Sequence, residues 1–150
     1  IYGETCMTTC PRAGTISFNM KQLNHGLVAA ILNDYFNIAV RNECFCAHPY
    51  VEKMLELTHH IQIIEARAKN ITDWHSEPWM GMVRVSFGLY NTHEDVDQFI
   101  YALNNIVAKQ DMYKKHYTFN ENGDYEHTTF QFSCNEYFSL SQNVMDELDL

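Results

Sequence analysis

Hydrophobic residues recur along this chain with two different periods, and the changes between them mark its elements. In TISFNM (residues 15–20), Ile16, Phe18 and Met20 alternate with Thr15, Ser17 and Asn19, the period of two of a half-buried strand. Asn24 is suited to cap a helix, and after it Leu27, Val28, Ile31, Leu32 and Tyr35 gather on one face at helical spacing. Ile38, Ala39 and Val40 predict a short strand that delivers Arg41 to the loop behind it. From Tyr50 to about Lys69, the residues Val51, Met54, Leu55, Ile61 and Ile64, with no Gly or Pro among them, predict one helix or a pair. ITDWHSEPWMG, with Pro78 and Gly81, reads as a loop.

The clearest alternation is MVRVSFGLY (82–90), which predicts a strand with Val83, Val85, Phe87 and Leu89 on one side and Arg84, Ser86, Gly88 and Tyr90 on the other. Thr92 ahead of His93, Glu94 and Asp95 reads as a capping box. The helix behind it carries the stripe Val96, Phe99, Ile100, Leu103, Ile106 and Val107. Past Lys109, Asn122-Gly123 between aromatic segments predicts a hairpin over 117–132. Residues 135–150 read as a short helix or an acidic tail. This order predicts an α+β fold, a small antiparallel or mixed sheet packed by helices, with a domain over 1–109 and an extension over 110–150.

Composition narrows the class. With 150 residues, 46% hydrophobic and 13% aromatic, the chain can bury one core. A net charge of −9 with ten scattered Lys and Arg argues against nucleic acid as a partner. No apolar stretch approaches the roughly 20 residues that cross a bilayer, and the opening residues lack a signal-peptide pattern. A cytoplasmic protein without a membrane partner is therefore expected, and the start at Ile1 suggests a piece of something longer.

Five cysteines, Cys6, Cys10, Cys44, Cys46 and Cys134, are an odd number that fits reduced thiols. Neither C-x-C (Cys44, Cys46) nor C-x3-C (Cys6, Cys10) has the usual zinc spacing, with or without His48, and no metal is expected. His59 and His60 are adjacent and diverge on a helix, so they read as surface residues. Two residues carry sharper possibilities. Arg84 is either a surface arginine or a planar fork for a ligand carboxylate. Cys46 is either a small buried hydrophobe or a thiol exposed after a strand near Arg41.

One resemblance changes the balance. Residues 83–97, VRVSFGLYNTHEDVD, closely resemble the RxSxxxYNTxEDVD segment of class V aminotransferases, the group that includes cysteine desulfurases. GTISFN resembles the strand that opens their small domain, and IAVR with Cys46-Ala47-His48-Pro49 resembles their cysteine loop. The resemblance covers residues 14 to about 108 and implies the C-terminal small domain of a fold-type I enzyme dependent on pyridoxal phosphate. It further implies that Arg84 binds the α-carboxylate of an amino-acid substrate and that Cys46, in a desulfurase, receives sulfur as a persulfide. The cofactor would be held by the chain's own large domain, in a homodimer, because none of Lys21, Lys53, Lys69, Lys109, Lys114 or Lys115 has the setting of the family's cofactor lysine. The fragment alone would be inert. Where the family loop has glycine and two histidines, this chain has Glu43, Cys44 and Phe45, which predicts a stiffer loop and a carboxylate close to the thiols. A second reading is a non-catalytic interaction module whose contact surface is Tyr113, Tyr117, Phe119, Tyr125, Phe130 and Phe132.

Overall fold

The alternation at 15–18 and 83–86 resolves into two antiparallel strands, β1 (Thr15–Phe18) and β2 (Val83–Ser86). Their register sets Ile16 against Val85 and Phe18 against Val83 on one face, and Thr15 against Ser86 and Ser17 against Arg84 on the other. The structure is a computed structural model that describes residues 1–6, 8–11, 13–55, 81–120 and 123–130. The expectations for 56–80, for Phe132 and Cys134, and for 135–150 lie outside the described residues.

Two strand expectations are corrected. The strand expected over 82–90 ends at Ser86. Phe87 N–H still donates to Gly14 O at 2.6 Å, but Gly88 N–H donates to Asn91 Oδ1 at 2.7 Å and Asn91 N–H donates to Gly88 O at 3.1 Å. That turn leaves Leu89 in solvent rather than on the apolar face. The strand expected at 38–40 does not form, because Asn37 is left-handed (φ 54°) and Ile38 N–H closes the preceding helix on Leu32 O at 3.0 Å. Pairing begins at Arg41 instead, which exchanges both backbone bonds with Arg84, and Met82 N–H continues it to Glu43 O at 3.0 Å. β2 is therefore flanked on both sides.

Helix α1 (His25–Phe36) starts as the sequence predicts, with the Asn24 side chain accepting from Gly26 N–H at 2.6 Å. Its Leu27, Val28, Ile31 and Leu32 are buried, while Tyr35 lies at the rim, 40% exposed. Helix α2 comprises residues 48–55 among those described, and Pro49 sits in its first turn, where a missing N–H costs nothing. Helix α3 (His93–Ala108) carries the capping box between Thr92 and Asp95. Its buried face is Phe99, Ala102 and Ile106, so the expected stripe is rotated: Ile100 is 50% and Val107 61% exposed. A short helix α4 (Gln110–Lys114) leads into the hairpin of β3 (Tyr117–Phe119) and β4 (Tyr125–His127). Among the described residues the fold is α+β, with four helices and two antiparallel two-stranded sheets.

The main core packs the apolar face of β1 and β2 against α1 and α3, with Phe99 edge-on to Phe18 (centroids 6.0 Å) and to Phe87 (6.1 Å). Tyr113 and Tyr117, expected on a contact surface in the interaction-module reading, are buried in this core. A second cluster, Val51, Leu55 and Met82, gathers Tyr2, Cys44, Phe45 and Met54 under α2. At the rim of α1, Tyr35 Oη lies 2.6 Å from His116 Nδ1 and 2.8 Å from His127 Nε2. No described helix is long and apolar enough to cross a membrane.

The rotation of α3 is testable by urea unfolding. Ile106→Ala, on its buried face, should cost about 2–5 kcal/mol, as for a buried large-to-small change, whereas Ile100→Ala should stay within about 0.5 kcal/mol of the parent. The capping box gives a second expectation. Thr92 N–H and then the Asn91 side chain hold the Asp95 carboxyl below the ordinary 3.8, so its contribution is complete above pH 3.8 and is lost as pH falls through the lower folded value. Carboxyl NMR titration should place the Asp95 midpoint below 3.8.

Candidate functional site

Arg84 uses both backbone polar groups on Arg41, so its pairing with Ser17 across β1 is of the non-hydrogen-bonded kind, in which side chains stand closest. Ser17, Arg84 and Arg41 are direct cross-strand neighbours and therefore share a face, opposite the one that Val83 and Val85 bury. Arg41 is exposed and Arg84 half-buried. Two guanidinium-bearing residues thus stand as cross-strand neighbours on this face, where like charges disfavour close approach.

Phe45 holds one of them. Its ring centroid lies 5.0 Å from Arg84 Cζ, a cation–π contact of the order of 0.5–1 kcal/mol. Arg84 Nε is buried and has no hydrogen-bond partner among the described residues. The arginine is thus backed by a π face, and a carboxylate would have to meet the Nη side of the fork, since Nε is buried.

The loop that brings Phe45 there runs from Glu43 to Cys46 between the Arg41 bridge and α2. Glu43 (φ 65°), Phe45 (φ 35°) and Cys46 (φ 61°) all lie in the left-handed region, where a side chain costs about 1–2 kcal/mol per residue. Burial of Phe45 and Cys44 against Val51, Leu55 and Met82 opposes that cost. Ala47 N–H closes the turn on Cys44 O at 2.7 Å. Cys46 is exposed on this loop, next to the residue that touches Arg84. Cys44 is half-buried, and its thiol is pushed up by desolvation first, then by the carboxylates of Glu43 and Glu52.

Arg84 touches Phe45, the chain neighbour of Cys46, and sequence reasoning notes Phe45 only as a departure from the family loop. Arg41 was read as a loop neighbour, not as the cross-strand partner of Arg84. Buried His25 was not singled out; Gly81 (φ 150°) passes so close that a Cβ there would lie 2.5 Å from its Nε2, and only glycine fits that approach. Among the described residues no group of three or more His, Cys, Asp or Glu side chains converges as a metal site. Cavities of about 820 Å³ beside Asp34 and His127 and about 390 Å³ beside Ser86 and Phe99 are not lined by Arg84 or Cys46.

Comparison with known proteins now places this geometry. The sequence profile described as aminotransferase class-V matches residues 2–99, a segment holding both Arg84 and the cysteine loop. The chain belongs to the class-V aminotransferase family. It is also 37% identical over 71 residues to a molybdenum cofactor sulfurase of Bombyx mori, an alignment covering 45% of this chain and 9% of that protein. The chain thus spans about a tenth of the length of that curated relative. No solved structure matches.

The family depends on pyridoxal phosphate. The described residues do not fit that group by themselves: Lys21, Lys53, Lys109, Lys114 and Lys115 are all exposed, and neither cavity is lined by a lysine.

The loop geometry carries its own prediction. Glu43→Gly removes a left-handed side chain at the place where the family loop has glycine, and the relief exceeds the added freedom of the unfolded chain. It should stabilise the protein by about 0.5–1 kcal/mol in urea unfolding.

Proposed function

We propose that this chain is the substrate-side small domain of a pyridoxal-phosphate-dependent enzyme that acts on a sulfur-bearing amino acid. Arg84 grips the α-carboxylate, and the Cys46 thiolate attacks the substrate sulfur: an S–S bond forms as the carbon–sulfur bond breaks, and its electron pair stays on the substrate carbon, which is then protonated, giving a persulfide on Cys46 and the desulfurised amino acid. The cofactor would be held by another part of the polypeptide and would supply an electron sink there. The observation that carries the reading is Arg84 itself: fixed mid-strand, backed by the Phe45 ring, with an uncommitted Nε and a second guanidinium opposite. Its position in the family-matching segment supports the assignment. The similarity to a molybdenum cofactor sulfurase favours sulfur transfer over transamination.

The residues have separable roles. A bidentate guanidinium orients the amino acid, and Arg41 adds positive charge on the same face. Cys46 lies on a loop tied to that arginine through Phe45, so substrate and acceptor thiol share one rigid unit. Glu43, which precedes Cys44, adds negative charge beside the thiols and tempers the loop's attraction for anions.

In the complete polypeptide, Arg84→Ala should raise KM for the amino acid roughly 10- to 100-fold, the loss expected of a charge-assisted hydrogen bond, and Arg84→Lys should recover only part of it. Cys46→Ser should abolish persulfide detected by mass spectrometry while leaving substrate binding near the parent value. An unchanged KM in Arg84→Ala would refute the carboxylate assignment.

A further inference from the structure

Cys6 and Cys10 lie outside the site described above, in a single turn near the N-terminus. Thr9 N–H and Cys10 N–H both donate to Cys6 O at 3.2 Å. The second of these bonds spans i to i+4, which brings the two Cα atoms to about 6 Å, as in one helical turn. That lies within the 4.4–6.8 Å Cα separation of disulfides, and closure needs the turn to tighten until the Cβ atoms, about 5–6 Å apart on a helical turn, come to about 4 Å. Both thiols are free and exposed. They are not equivalent. Cys6 Sγ lies 2.9 Å from Thr8 Oγ1, whereas the Cys10 thiol donates to Pro11 O at 3.7 Å. Hydrogen bonding from Thr8 first, and then from Thr9, favours the Cys6 thiolate. Upstream of the turn, Tyr2 N–H donates to Ser17 O at 2.9 Å and Tyr2 packs on the cluster that includes Cys44 and Phe45.

We propose that Cys6 and Cys10 form a redox-active dithiol, with Cys6 the attacking and Cys10 the resolving thiol, which closes to a disulfide on reaction with a low-molecular-weight disulfide. The Cys6 thiolate attacks one sulfur of the small disulfide, a mixed S–S bond forms, and the other half leaves as a thiolate. Cys10 then gives its proton to that leaving thiolate and attacks the Cys6 sulfur, forming the Cys6–Cys10 bond and releasing the second small thiolate. Two electrons pass from the protein dithiol to the small disulfide.

The donors around Cys6, the Thr8 hydroxyl first, lower its thiol to about 6. A lower pKa raises the thiolate fraction but weakens each thiolate as a nucleophile, with a Brønsted slope of about 0.4–0.5. Against an ordinary thiol near 8.5, the net advantage in attack is only about twofold at pH 7 but roughly tenfold at pH 6. Discrimination is therefore best sought in mild acid. The inference does not depend on the roles given to Arg84 and Cys46.

The test uses the full chain, iodoacetamide and oxidised glutathione, with residue-level mapping by mass spectrometry. At pH 6, Cys6 should alkylate roughly tenfold faster in the parent than in the double variant Thr8→Val, Thr9→Val, whose changes are on the exposed turn. Oxidised glutathione should yield a Cys6–Cys10 disulfide in the parent and a stable glutathione adduct on Cys6 in Cys10→Ser. Equal alkylation rates in parent and double variant would overturn the role of Cys6 as attacker. A glutathione adduct that persists in the parent would overturn the role of Cys10.

Discussion

The backbone of Arg84 is the constraint from which the rest of the molecule follows. Its N–H and C=O both bond to Arg41, while its neighbours Val83 and Val85 pair toward β1. A strand held from both sides cannot slip by one residue without turning its buried valines to solvent. The guanidinium is therefore assigned to the face away from the main core by the same register that fills that core. Packing of α1 and α3 on Val83 and Val85 and presentation of Arg84 are one event.

The cysteine loop shows a different economy of forces. Three residues without glycine's freedom sit in left-handed backbone, and what opposes their cost is a small apolar cluster under α2. Phe45 belongs to that cluster and to the arginine contact at once. Phe45 thus ties the loop to β2. Cys44 and Cys46 diverge accordingly: the former is drawn half under the cluster and kept protonated by desolvation and carboxylates, the latter stays in solvent.

Much of this was legible in the pattern of residues, and the exceptions share a cause. Period and caps located β1, α1 and α3, because Asn24 and the pair Thr92 and Asp95 act on their own local backbone. What failed depended on partners distant in sequence. Ile38–Val40 look like a strand, yet the pairing lies at Arg41 and Glu43, since the Asn37 cap absorbs the residues before them. The α3 stripe was misphased because Ala102, small and unremarked, faces the core in place of Ile100. At the site, Arg84 and Cys46 carried signals in their motifs, whereas the Phe45 contact required two segments about forty residues apart to meet.

The bridge at Tyr35 has a polarity. His127 Nδ1 accepts backbone N–H bonds from Thr129 at 3.2 Å and Phe130 at 2.9 Å, so a neutral ring carries its proton on Nε2 and gives it to the tyrosine oxygen. On its other side the phenol oxygen is within hydrogen-bond distance of His116 Nδ1. Thr128 N–H returns to His116 O at 2.8 Å, closing a circuit between the hairpin and the end of α1. Two amides in the hairpin's last turn thus decide which nitrogen of a neutral His127 faces the phenol, so a contact at the end of α1 is oriented by a turn about ninety residues away in the chain.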